Sequence, residues 1–402
     1  MDGPLHGFRI VELAFWAAGP AATCVLADWG AEVIKIEPPD GDPIRALTTG
    51  AMMDDDIPAD PMLQLLNHNK RSITLDLNRA AARNMLIRLI ERSDVFVTNL
   101  RLPALSRLGL DYPTIAKTNQ RIIYASFTAY GHLGAECSRV GFDYGAAWAR
   151  TGLMAMIGEP GTAPPAPRPA MVDLPSGLAL AGAISAALLR RERTGGGCHV
   201  LTSLLEMGLW MNAVDLTIAI SGRSRPQPES RSCRPNPLVN SYRCKDGHWV
   251  YLLLVQSERH WASLCKALGH PEWITDQRFL TGDLRHRNNR ELTGLLDKLF
   301  ATNTLSEWAR RLDAHNLVWS AVQSIEEVLG DPQVRAMNMF QDVNQPSGEK
   351  RRIIRSPVNF DMVRTEPLNS APELGQHTEE IALELGYSWE DIAYLREARA
   401  FG

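Results

Sequence analysis

From Phe8 to Phe127 the chain alternates short apolar, β-branched blocks with stretches of helical character. FRIVELAF (8–15) and AEVIKIE (31–37) read as strands. Between them, WAAGP reads as a loop and AATCVLADWG as a helix closed by Gly30. Strand, helix and strand form a βαβ unit, which predicts an α/β fold with a parallel sheet covered by helices. The alternation continues through LNHNKRSITLDL (66–77), a helix over 80–92, DVFVTNL (94–100) and RIIYASF (121–127). Pro38-Pro39 and Asp40-Gly41-Asp42-Pro43 mark a turn-rich loop. Residues 50–64, with the acidic run Asp54–Asp56, read as a solvated excursion.

Further on, GFDYGAAWARTGLM (141–154) reads as a loop and helix leading into the Pro-rich run before Asp173. A long helix of small apolar residues starts at Pro175-Ser176 and stops at Gly195–Gly197. A second helix, 202–218, is rich in Leu, Met and Trp and reads as core. The Arg-, Ser- and Pro-rich stretch that follows reads as a linker. NSYRC and HWVYLLLV then flank an Asp-Gly turn, a hairpin pattern. Three helices follow, the first capped by Ser257 and the others starting at Asn288 with Glu291 and at the Thr304/Glu307 capping box. Residues 351–363 read as irregular strand, and two short helices at 378–384 and 388–398 end the chain. The expected division is therefore 1–220, a linker at 221–237, a small α+β domain at 238–328, and a C-terminal return at 329–402.

Composition narrows the function. The 402 residues are 45% hydrophobic and 22% charged, with a net charge of −4, so nothing favours nucleic acid or an anionic membrane as partner. With no basic leader and no apolar run of membrane-spanning length, the expected location is the cytoplasm. The six cysteines include no C-x-x-C pair and read as free thiols, and the ten histidines show no H-x-x-x-H or H-E-x-x-H spacing. A metal centre is not expected.

Several residues are candidates for chemistry. Asp173 sits beside a helix N-terminus, where free N–H groups and the dipole favour an ionised carboxylate. It reads either as a helix cap or as a nucleophile toward an acyl group. Glu37 lies where a ribose-binding acid follows a dinucleotide loop, yet Gly19-Pro20 is not G-x-G-x-x-G, which argues against a nicotinamide enzyme. Asn99 at a strand end, with Lys70, Arg71 and Arg107, borders the expected ligand crevice of a parallel sheet and offers cations for phosphates. Trp148, Met154, Met156 and Trp210 read as core, with an apolar acyl pocket as the alternative.

The chain resembles the family III coenzyme A transferases, the group that includes formyl-CoA and carnitine-CoA transferases. The resemblance runs end to end. It rests on PLHGFRIVEL, AAGPAATCVLADWGAEVIKIEPPDGDPIR, NKRSITLDL, GFDYGAAWARTGLM, VDLPSG, ALLRRERTGGG, NPLVNSY with KDGHWV, and LGQHTEEIALELG. It implies a Rossmann-like large domain built from both chain ends, a smaller domain inserted between, and an interlocked homodimer with its active sites at the subunit interface. It implies that Asp173 of VDLPSG is the nucleophile. It also implies that coenzyme A, carried by the substrates and not a resident cofactor, meets Ala18, Leu75, Asp76, Leu77, Asn78, Asn99, Arg107 and Arg139. The partners implied are an acyl-CoA donor and a carboxylic acid acceptor.

Two departures bear on specificity. Ala17 stands where the formyl-CoA enzymes carry glutamine, and 225–250 lacks their glycine-run lid. Phe142 stands where the related α-methylacyl-CoA racemases place a histidine before the aspartate matching Asp143, and phenylalanine cannot move a proton. His132 reads as a loop histidine. The alternatives to CoA transfer are α-proton chemistry at Asp143 and Asp173, or a non-catalytic CoA-binding protein.

Overall fold

A computed structural model of the chain describes residues 3–46, 61–222, 227–344, 350–360 and 368–401. The expected acidic excursion at Asp54–Asp56 lies outside them, as do 223–226 of the linker and 361–363. Two compact units are present. Met1–Met154, Ala166–Ser224 and Asn338–Gly402 form the first, and Ala155–Pro165 with Arg225–Met337 the second. Residues 155–165 thus belong with the second unit, whereas the sequence reading kept 1–220 together, and the chain returns to the first unit at 338 rather than 329.

Six parallel strands organise the first unit: β1 Arg9–Leu13, β2 Glu32–Glu37, β3 Lys70–Thr74, β4 Val95–Thr98, β5 Ile123–Thr128 and β6 Cys198–Ser203. Their order is β3-β2-β1-β4-β5-β6, so the winding direction reverses between β1 and β4. Helices Ala18–Asp28 and Asp173–Thr194 cover one face, packing Leu26, Leu180 and Ile184 against Ile10, Val95 and Ile123. On the other face, helix Ala80–Glu91 and the C-terminal helices Thr378–Glu384 and Trp389–Glu397 bury Leu86, Ile381 and Ile392 against Val11, Ile34 and Phe96. The last helices of the chain therefore complete the core that the first strand begins.

The two helices on the first face are small-residue helices because they touch. A Cβ on Gly177 would stand 2.7 Å from the Ala21 Cβ and 2.9 Å from the Ala22 nitrogen, inside contact distance. This close approach sets the start of the Asp173 helix directly against the helix that follows β1. Gly195, at φ 79°, ends the long helix in the left-handed conformation, the termination expected of the three glycines.

In the second unit, β7 Val239–Arg243, β8 Trp249–Leu253 and β9 Trp319–Val322 form an antiparallel sheet. The expected hairpin is its first two strands. Helices Ser257–Leu268, Asn289–Phe300 and Leu305–Ala314 pack a core containing Trp261, Phe279, Phe300 and Trp308. Thr304 and Glu307 form the expected capping box. Ser257 is the first helical residue rather than the cap, which is Gln256. A short third sheet, β10 Phe340–Asn344, β11 Lys350–Ile354 and β12 Leu368–Asn369, belongs to the first unit.

Two expectations fail for identifiable reasons. β6 was not anticipated, because only Ser203 of its six residues is fully buried, so an edge strand carries no apolar run to read. The helix at 202–218 is two helices, Leu204–Met211 and Ala213–Ile220, broken at Asn212, whose side-chain amide donates to the Thr151 carbonyl at 2.9 Å. Leu204 joins the core and Met207 packs against it, but the rest of the apolar surface is not core: Trp210 is 75% exposed and Val214 74%.

Beneath the ends of β1, β2 and β3 lies a buried ionic network. Lys35 Nζ donates to Glu12 Oε1 at 2.7 Å, Asp42 Oδ2 at 2.9 Å and the Ala14 carbonyl at 3.0 Å. Lys70 Nζ donates to Glu12 Oε2 at 2.8 Å, the Pro20 carbonyl at 2.9 Å and Asn67 Oδ1 at 3.1 Å. None of the four charged side chains is exposed to solvent. Burial works against the charge on Glu12, yet Lys35 and Lys70 hold its carboxyl down at about 2. Burial lowers Lys70, and Glu12 only partly offsets this. Lys70 is thus a core residue, and Arg71 is paired with Glu32 and Glu384, each at 2.6 Å. Neither is the phosphate-facing cation that the sequence suggested. Glu37 likewise holds Arg45 at 2.6 Å and Ser72 at 2.6 Å.

Breaking one partner of a buried ion pair strands the other charge. Lys35→Met is expected to destabilise the protein by about 3–5 kcal/mol. Arg352→Ala, which removes a pair with Asp342 on an arginine 68% exposed, is expected to cost no more than about 1 kcal/mol. Urea denaturation of both variants measures the contrast, and equal losses would show that the buried network is not structural.

Candidate active site

The Asp173 helix begins in a constrained turn. Ala170 sits at φ 59°, the Leu174 N–H donates to its carbonyl at 3.1 Å, and the Ser176 N–H donates to the Val172 carbonyl at 3.0 Å. Pro175 has no N–H, and the Val172 N–H faces Asp143 Oδ2 at 3.5 Å. The first-turn amides expected to stabilise an ionised Asp173 are therefore mostly committed elsewhere. Burial, together with the nearby Asp143 charge, pushes the Asp173 carboxyl up to about 7. The expectation that the helix start keeps this acid firmly ionised is corrected accordingly. Asp143, 2% exposed, is also raised by burial, against the opposing pull of the Val172 and Tyr144 N–H groups.

Asp173 lines a cleft of about 390 Å³ at the C-terminal ends of the central strands. Phe15 to Ala17 enter it from the loop after β1, Ala18 from the start of the next helix, Asn99 to Arg101 from the end of β4, and Phe127 to Ala129 from the end of β5. Residues 139–142 close another side. The cleft stands where the strand order reverses, the position at which parallel sheets bind ligands.

The first loop is held from two directions. Asn99 clamps Phe15, accepting its N–H at 3.0 Å and donating to its carbonyl at 2.7 Å. The Trp16 N–H donates to Asp42 Oδ1 at 3.1 Å, which ties the loop to the buried ionic network. Trp16 itself lies at φ 69°, a region that costs a bulky L-residue on the order of 1–3 kcal/mol. Its ring meets Phe142 edge to face, with centroids 5.4 Å apart.

Of the residues singled out from the sequence, Ala18, Asn99, Arg139 and Asp173 line this cleft together. Leu75, Asp76, Leu77, Asn78 and Arg107 are not among its lining residues. Leu75 is core, 1% exposed, and Leu77 packs against the same cluster. Asp76 Oδ1 accepts from the Asn78 backbone and side chain, each at 3.0 Å. Arg107 is exposed on helix Leu102–Leu108. Arg139 pairs with Glu136 and lies over the Tyr130 ring. Trp148 and Met154 belong to the core, and none of Trp148, Met154, Met156 and Trp210 lines the cleft.

Sequence reasoning missed Trp16, Arg101 and the wall made by Phe142. A lone tryptophan before the small residues Ala17-Ala18-Gly19 was the available signal. Among the described residues, no group of three or more His, Cys, Asp or Glu is placed to hold a metal ion, and no helix is long and apolar enough to cross a membrane.

The half-buried Asp173 carboxylate, which senses the buried Asp143, thus stands in a cleft at the switch point of a parallel sheet. The chain belongs to CoA-transferase family III, which it matches over residues 5–378. It is 32% identical to the (R)-2-hydroxy-4-methylpentanoate CoA-transferase of Clostridioides difficile, over 98% of each chain. It is 30% identical to the cinnamoyl-CoA:phenyllactate CoA-transferase of Clostridium sporogenes, over 97% of this chain and 95% of that protein. Among solved structures, a CAIB/BAIF family protein from Brucella suis superposes with a TM-score of 0.84 at 29% identity, covering 96% of this chain and all of that one. The protein is accordingly an α/β enzyme of the CoA-transferase type, as the sequence resemblance implied.

Because Asp143 adds its charge to the effect of burial, Asp143→Asn is expected to lower the Asp173 pKa from about 7 while burial keeps it above the ordinary aspartate range. Infrared titration of the carboxylate band, with Asp173→Asn to assign it, measures the shift. An unchanged midpoint would exclude coupling between the two acids.

Proposed function

We propose that the protein transfers coenzyme A between carboxylic acids through covalent intermediates on Asp173. The carrying observation is Asp173 itself: a half-buried acid on the first turn of a helix, raised to about 7 by desolvation and the Asp143 charge, and lining the switch-point cleft. In the first step the Asp173 carboxylate attacks the donor thioester carbonyl. The C–S bond breaks, leaving an aspartyl–acyl anhydride and CoA thiolate. The thiolate then attacks the aspartyl carbonyl, releasing the donor carboxylate and leaving an aspartyl-CoA thioester. The acceptor carboxylate attacks that thioester to form a second anhydride and free thiolate. Attack of the thiolate on the acceptor carbonyl yields the new acyl-CoA and regenerates Asp173. No water or net proton enters the cycle.

Ala18, Asn99 and Arg139 within the cleft, and Leu75 to Asn78 with Arg107 outside it, are proposed as the CoA contacts. The substrates carry the CoA, and the other partner is a carboxylic acid acceptor. The paired acids Asp143 and Asp173 are the one observation that favours α-proton chemistry instead; deuterium uptake at the α-carbon without thioester exchange would identify it.

Incubation with a panel of acyl-CoA thioesters, trapping with hydroxylamine and mass spectrometry test the covalent route. A hydroxamate is expected at Asp173 and not in Asp173→Ala, with exchange reduced by at least about 10³-fold in that variant. Since only the ionised form attacks, the single-turnover rate is expected to rise with pH through about 7 and then level. An unmodified Asp173 across the panel would overturn the proposal.

The proposed assembly is an interlocked homodimer. Supporting it are Leu209, Trp210, Val214, Ile218 and Ile220, an exposed apolar set on two consecutive helices of a kind that soluble monomers seldom present. Light scattering is expected to give twice the chain mass for the wild type and a concentration-dependent loss of dimer for Trp210→Asp. A monomeric wild type would refute it.

A further inference from the structure

Trp16 combines three features that core packing does not explain. Its backbone is in the left-handed region, which bulky L-residues avoid. Trp16 remains 38% exposed, and Phe142, whose ring it meets, is 51% exposed. Both line the cleft that contains Asp173. Strain of this kind persists only where surroundings over-determine it. Here they do so through the Asp42 carboxylate on the Trp16 N–H, the Lys35 ammonium on Asp42 at 2.9 Å, and the two-way Asn99 clamp on Phe15. A strained loop thus holds an indole edge-on to a phenyl ring, with apolar surface left uncovered in a ligand-sized cleft.

We propose that Trp16 and Phe142 form an apolar jaw for the acyl chain of the thioester, selecting bulky aromatic or branched apolar acyl groups, with Asp42 as its positioning residue. The inference rests on the CoA-transfer reading of the same cleft. Phe142 immediately precedes Asp143, the acid whose charge Asp173 senses, so the jaw stands at the reacting end of the substrate rather than at the nucleotide end. Ala17, beside Trp16, is small enough to leave room for such a chain.

The jaw is tested by calorimetry in an Asp173→Ala background, where thioesters bind without turnover, together with exchange assays on the wild type. The probes are acetyl-CoA, 3-phenylpropionyl-CoA and free CoA. Adding Trp16→Ala or Phe142→Ala is expected to weaken 3-phenylpropionyl-CoA binding by about 10-fold or more, and acetyl-CoA and CoA by less than about 2-fold. Equal losses on all three would overturn the proposal and mark the pair as a contact to CoA itself, and no loss on any would overturn it equally. Phe142, half exposed, supplies the second variant if Trp16→Ala does not fold, as judged by thermal melting. Acyl-selective binding without wild-type exchange would sink the transfer reading and leave the jaw standing. Normal exchange with acyl preference insensitive to both variants would sink the jaw alone, and failure of every thioester to bind would sink both.

Discussion

The site depends first on charges sealed away from water. Lys35 and Lys70 share Glu12, and Lys35 also holds Asp42, with no solvent access to any of the four. Ions in such a place add little net stability over apolar residues of the same shape, because desolvation cancels much of the attraction. What they contribute is geometry. The same four side chains bind the Ala14 and Pro20 carbonyls and the Trp16 N–H, so the loop after β1 has few alternative conformations. That loop is one wall of the cleft, and the network beneath it acts as a rigid footing for chemistry that needs fixed distances.

The second constraint is the contact between two helices. Gly177 lets the helix carrying Asp173 press against the helix after β1, and no side chain larger than hydrogen fits there without movement. Asp173 and the first loop are thereby referenced to one another through backbone rather than through long side chains. Asp173 is then enclosed closely enough that burial and Asp143 together override the ordinary acidity of an aspartate. Its environment combines partial desolvation with the Coulomb push of Asp143, and both act in the same direction. The half-exposed aromatic pair at Trp16 and Phe142 stands over this arrangement, and its strain is affordable only because the network below is rigid.

Reading residues in order recovered the elements whose burial is two-sided or periodic. β1 to β5, the helix at 80–91, the hairpin, the Thr304 capping box and the two terminal helices all carry a local signature in apolar pattern or cap chemistry. β6 carried none, since an edge strand needs no apolar run. Lys70 and Arg71 looked like cations for phosphates because sequence shows charge but not its partner 58 residues away at Glu12 or 313 away at Glu384. The helices at 204–220 looked like core because apolar composition does not say which surface, within this chain or on another, will cover it.

By itself, then, the sequence determined the parallel α/β architecture, the membership in CoA-transferase family III and the prominence of Asp173, since hydrophobic period, turn residues and ordered motifs are local properties. The tertiary structure decided which candidates meet. It brought Ala18, Asn99, Arg139 and Asp173 into one cleft and left Leu75 to Asn78 and Arg107 outside its lining. It turned Lys70 inward, exposed Trp210, and raised the acid that the helix start was expected to keep ionised. The physical reason is that desolvation and Coulomb interaction depend on what surrounds a group in space, and those neighbours come from parts of the chain that are distant in sequence.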